Sequence, residues 1–67
     1  MDNSTLVKNK VHWKKHPGNN HFYYYEEYYR IFLLRMNDFP AEPLYTIING
    51  LEITDIDDLP VDWTVER

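Results

Sequence analysis

Three histidines, His12, His16 and His21, fall within ten residues, and imidazoles at short spacing are common metal ligands. His12 and His16 would share a helix face at four apart. Their neighbours argue against a site: Lys14 and Lys15 put positive charge beside them, Pro17 disfavours helix at His16, and no cysteine is present to complete a set. Surface or turn positions are expected for all three. Asp55, Asp57 and Asp58 open like a calcium loop, with Glu66 at the twelfth position from Asp55. Leu59 and Pro60 then stand at positions five and six, where an oxygen ligand and a glycine are needed, so the acidic group reads as a solvated cap. Ser4 is the single serine, the two glycines form no phosphate-cradling loop, and a chain this short has little interior in which to raise a carboxyl pKa. No catalytic residue, cofactor or metal is expected.

The remaining chemistry is aromatic. Tyr23, Tyr24, Tyr25, Tyr28 and Tyr29 crowd one stretch beside Arg30 and Arg35, and rings with nearby cations can stack nucleic-acid bases. The formal charge of -4 opposes that use, because phosphate neutralisation dominates such binding. Tyrosine is also favoured at protein interfaces, and that use fits the charge better.

Charge is divided along the chain. Residues 1–35 carry six Lys or Arg against three Asp or Glu, and residues 36–67 carry one against eight. Folding either mixes these into an ordinary surface or leaves a basic and an acidic face that steer different partners. With 67 residues, only about 60% of the unfolded surface can be buried. The core must be thin, and without cysteine it has no disulfide or thiolate-bound zinc to reinforce it. A homodimer or another partner protein would supply the missing burial. No apolar run approaches the roughly 20 residues that span a bilayer, and the Met1-Asp2-Asn3 start lacks the features of a signal peptide, so a cytoplasmic location is expected.

The elements that must position these residues centre on Tyr28 to Asp55. Asn49-Gly50, between Leu44–Ile48 and Leu51–Ile56, is the strongest hairpin signal in the chain. Glu52 and Thr54 alternate with Leu51 and Ile53, which gives that strand a polar face and implies a sheet covered on one side only. Phe22–Met36 has two readings. In one, two strands meet at a tight turn at Glu26-Glu27; in the other, Phe22, Tyr25, Tyr29, Phe32 and Met36 line a buried helix face. The β-favouring residues tip the choice to strands. Leu6–Lys15 is likewise read as a strand, with Val7, Val11 and Trp13 on one face, over a helix starting after Ser4. His16–Asn20 is a turn, and Asn37–Pro43, with two prolines, is a loop. Asp57–Trp63 reads as a capped helical turn that returns Trp63 to the sheet, and residues 1–5 are expected to fray.

The chain is therefore expected to be a single domain over residues 1–67, mainly β with small α+β as the alternative. It should be one antiparallel meander of four to five strands, with the Asn49-Gly50 hairpin and a C-terminal helical turn. The function expected is a small non-catalytic protein-binding or accessory module, self-associating or bound to another protein. Its candidate surface is Tyr23, Tyr24, Tyr25, Tyr28, Arg30, Asp55, Asp57, Asp58 and Trp63. The alternative is an acidic inhibitor or immunity-type protein that blocks the basic, nucleic-acid-binding cleft of a partner.

Overall fold

A computed structural model describes residues 1–66. Arg67, the one cation of the acidic half, lies outside the described residues. The elements are α1 (Asn3–Leu6), β1 (Val11–Lys15), β2 (Phe22–Glu27), β3 (Arg30–Met36), β4 (Tyr45–Asn49), β5 (Glu52–Ile56) and β6 (Trp63–Val65). They build one mainly antiparallel sheet in the order β5-β4-β3-β2-β1-β6. The meander expected from the sequence is its body.

Two hairpins fix the register, and each turn lies slightly away from where the sequence puts it. In β2–β3, Glu26 and Glu27 stay in the strand, pairing with Ile31 and Arg30. The loop residues are Tyr28 and Tyr29, both at positive φ (49° and 65°), as a type I′ turn requires. Alternation explains the shift: Tyr23 and Tyr25 must face the same side as Phe32 and Leu34, and only a loop at 28–29 pairs them so. In β4–β5 the expected hairpin is present, but Asn49 pairs with Glu52 and the loop is Gly50-Leu51. Gly50 has φ 60° at the first loop position, the type II′ arrangement. Asn49 is held in the strand because its buried amide donates to the Met1 carbonyl at 3.0 Å.

The sixth strand is the larger departure from the sequence reading. Asp57–Trp63 is not a capped helical turn. It contains a single hydrogen-bonded turn, Trp63 N to Pro60 O at 3.0 Å, and then runs straight into β6. β6 lies parallel to β1, pairing Val11 with Trp63 and Trp13 with Val65. Strand β1 is thus shared between two partners: its first half pairs with β6, and Lys14 and Lys15 pair with β2. The Leu6–Lys15 strand reading holds only from Val11 onward.

The N-terminus is not frayed, because it closes the sheet. The Asp2 carboxylate caps α1 by accepting from Thr5 N at 2.8 Å. Asn3 is 1% exposed, and its side chain donates to Thr54 Oγ1 on β5 at 3.0 Å. At the opposite edge Trp63 Nε1 donates to the Leu6 carbonyl at 3.1 Å. The segment therefore spans from one edge of the curled sheet to the other. The segment contributes Leu6 to the core it covers, alongside Val11, Trp13, Phe32, Leu34, Ile47 and Trp63, with Tyr23, Tyr25 and Tyr45 packed around them.

Two outcomes follow. Leu6→Ala should cost about 2–5 kcal/mol, a large part of the stability of a chain this size, and should lower the urea midpoint by that free energy divided by the m value. Hydrogen bonds from Thr5, followed by the one from Ser4, hold the Asp2 carboxyl below its ordinary pKa. The capping contribution is then complete above the ordinary Asp range and is lost as pH falls through the depressed value. On acidification the Thr5 amide should lose exchange protection before the β3 and β4 amides do.

Candidate functional site

Strand alternation separates the expected surface into parts that do not meet. Tyr23 and Tyr25 point inward: Tyr25 stacks on Phe32 at 5.8 Å and meets the edge of Trp13 at 6.1 Å. Burial, then the Glu27 charge, raises the Tyr25 pKa, and burial, then Tyr23, raises that of Tyr45, so both phenols stay protonated at neutral pH. Trp63 is 3% exposed and belongs to the core. Asp57 and Asp58 are exposed on the loop after β5, at the opposite end of that strand from the hairpin tip. Tyr24 and Asp55 lie on the outer face, and Tyr28 and Arg30 lie at the end of the β2–β3 hairpin. The nine residues are therefore not one site.

The histidines are also dispersed in role. His12 Nδ1 is 2.7 Å from Thr64 Oγ1, His16 Nδ1 accepts from Gly18 N at 3.0 Å, and His21 lies in the loop before β2. Among the described residues no group of three or more His, Asp or Glu is placed to hold a metal ion. No helix among them is long and apolar enough to cross a membrane.

What the structure does assemble is an apolar outer face. Cross-strand pairing sets Lys14, Tyr24, Leu33, Ile48 and Ile53 in one row across five strands. Ile31 extends it toward the hairpin tips and is exposed, as is Ile53. A second row, Phe22, Arg35, Thr46 and Asp55, runs beside it, and its three polar members are linked by hydrogen bonds through Asn37. Asn37 Nδ2 donates to Thr46 Oγ1, which donates to Asp55 Oδ1, both at 2.7 Å, and Arg35 binds Asn37 at 2.6 Å. An apolar band thus lies beside an ordered polar one.

Strand β5 shows most clearly how this face arises. The sequence suggests that its polar residues, Glu52 and Thr54, face solvent, but they face inward, where Asn3 bonds Thr54 Oγ1 and the Glu52 carboxylate. The register requires it, since Ile47 of the core pairs with Thr54, and Ile48 of the outer face pairs with Ile53. Leu51 and Ile53 are left in water, where the sequence reading had not placed them. The signal for the outer face was present: β3 and β4 carry apolar residues at consecutive positions, Ile31-Phe32-Leu33-Leu34 and Ile47-Ile48, as strands apolar on both faces do.

Both hairpin tips lie at the same end of the sheet. Tyr28, Tyr29 and Leu51 are 90%, 105% and 102% exposed there. Between the tips runs an open groove of about 560 Å³, lined by Tyr29, Arg30, Ile31, Asn49, Gly50 and Leu51. A second groove of about 370 Å³, lined by His16, Pro17, Tyr24, Ile31 and Leu33, shares Ile31 with it. Rings, aliphatic side chains and one guanidinium suit contact with another surface, and they supply no paired acid and base.

Comparison with protein-family models, with curated proteins and with solved structures finds no match to this chain, so the reading of this face rests on its own geometry. That geometry makes a quantitative demand. A non-glycine residue at positive φ costs roughly 1 kcal/mol, and Tyr28 and Tyr29 both pay it while their rings stand in water. Replacing them by the residues type I′ turns favour, Tyr28→Asn with Tyr29→Gly, should stabilise the fold by about 1–2 kcal/mol. The thermal midpoint should rise by roughly 4–8 °C for each kcal/mol gained.

Proposed function

We propose that this chain is a small, non-catalytic protein-binding module. Its contact surface is the outer face of the sheet, Tyr24, Ile31, Leu33, Ile48 and Ile53, continued onto Tyr28, Tyr29 and Leu51 at the tips. The observation that carries the reading is the orientation of β5, which turns Ile53 to solvent and Glu52 and Thr54 inward, beside an exposed Leu51 in the preceding loop. Contiguous exposed apolar surface on a small domain marks a place where another molecule sits. Tyrosine and arginine at its end match the composition of interface centres, and the charged side chains stand at its margins.

A second reading is supported by a separate observation. Asp57, Asp58 and Asp62 are exposed around one loop, and among the described residues the single ion pair is Arg35 with Glu42 at 3.8 Å. These carboxylates are thus free to oppose the basic cleft of a nucleic-acid-binding protein, as an acidic inhibitor does.

The two readings use different residues and can be separated. The whole chain, immobilised, should retain a partner from lysate of its own source that Ile53→Lys or Tyr28→Asn/Tyr29→Gly loses, both variants being folded by circular dichroism. Retention unchanged by these variants but abolished by Asp57→Asn/Asp58→Asn/Asp62→Asn would favour the acidic inhibitor. Retention unaffected by either set would remove both readings.

A further inference from the structure

We propose that the partner on the outer face is a second copy of this chain, in a two-sheet sandwich whose twofold axis runs parallel to the strands. The proposal rests on the binding-module reading and specifies its occupant. The argument is charge complementarity. The sheet runs β5-β4-β3-β2-β1-β6; its outer face carries a cation on β1, with only Thr64 of β6 beyond it, and carboxylates on and just after β5 at the other edge. On the β1 side stands Lys14, and His12 shares its face by alternation. On the β5 side stands Asp55, with Asp57 next beyond it. Between them lie Tyr24, Leu33 and Ile48, bordered by Glu26 opposite His12 on one side and by the Arg35-Thr46 row on the other.

A twofold axis along the strands turns the face over and reverses it from side to side. Strand β1 of one copy then lies across β5 of the other, and β3 lies across β3. The row Lys14-Tyr24-Leu33-Ile48-Ile53 meets its own reverse: Tyr24 faces Ile48, Leu33 faces Leu33, and Lys14 reaches Asp55 one same-face step along the opposing strand. Such an interface is isologous, so every contact occurs twice. Arg35, the cation nearest the axis, is already engaged by Asn37 and Glu42, which moderates its meeting with its counterpart. Within a chain, Lys14 and Asp55 are separated by the width of three strands and form no ion pair. The perpendicular in-plane axis would set β1 against β1 and bring Lys14 toward Lys14, so the flank charges choose the axis. Aligned packing at about −30° is the ordinary geometry for two such sheets. It would also supply the apolar burial that a chain of this length and without cysteine otherwise lacks.

Sedimentation equilibrium of the whole chain over a dilution series tests this. The wild type should reach a dimer, and Ile53→Lys, at an exposed position, should stay monomeric. Lys14→Asp and Asp55→Lys should each weaken self-association by about tenfold or more, since each puts like charges together at both flanks. Mixing the two variants should restore a dimer, because both flank contacts in the mixed pair are again opposite in sign. Asp55 also accepts from Thr46; if Asp55→Lys disturbs the amide spectrum, Asp57→Lys on the same edge takes its place. A wild type monomeric at every concentration, or a dimer that withstands Ile53→Lys and both charge reversals, overturns the proposal. A monomer that still loses a captured partner on Ile53→Lys overturns the second copy alone and leaves the binding module standing.

Discussion

The Trp63 and Trp13 indoles meet edge to face, with ring centroids 5.0 Å apart and planes at 64°, while Trp63 Nε1 donates to the carbonyl of Leu6. That one side chain joins three parts of the chain: the last strand, the first strand and the N-terminal turn. Aromatic pairs of this geometry contribute about 0.5–1.5 kcal/mol beyond the area they bury. Their larger effect here is topological. A 67-residue chain buries only about 60% of its unfolded surface, and here the covered face of the sheet is the one that carries Trp63. The sheet curls toward the tryptophans, the ends of the chain close the curl, and the other face is left out.

The polar groups of the closure support the same choice. Asn3 reaches β5 and Met1 reaches Asn49, so the inner face of β5 must present Glu52 and Thr54 to receive them. Given a period of two, Ile53 then goes outward with Asp55, while Ile56 joins the core. The open apolar face is therefore the direct consequence of a core sealed by the termini. It is the surface on which, in the proposed function, another chain is held, and in the proposed dimer the flanking charges give it a direction.

Much of this was legible in the chain. Asn49-Gly50 announced a hairpin, the Tyr and Ile-Phe runs announced strands, and Asn37–Pro43 announced a loop, because each signal is local. The misplacements have non-local causes. Glu26-Glu27 looked like the turn because charge marks exposure, yet the turn fell on Tyr28-Tyr29, whose positive φ no tyrosine advertises. Asp57–Trp63 looked like a helix cap because Asp and Pro favour one, but pairing with β1, some fifty residues earlier, drew Trp63–Val65 into a strand. The N-terminus looked frayed because it is short and polar, and only the folded sheet offers Asn3 its partners. The tyrosine cluster read as one surface because its members are neighbours in sequence, whereas alternation sends Tyr23 and Tyr25 to one side and Tyr24 to the other.

On the two proposals together, the faces of this sheet have different occupants, the N-terminal segment and the tryptophan core inside and a second copy of the chain outside. Paramagnetic relaxation by a soluble, inert probe, read on side-chain protons in dilute and in concentrated protein, addresses both faces at once. The account predicts strong relaxation at Leu51, Ile53, Ile48 and Leu33 in dilute protein that falls on concentration, with Trp13 and Trp63 shielded throughout. Strong relaxation of the Trp63 indole, or an outer face equally accessible at every concentration, would contradict it.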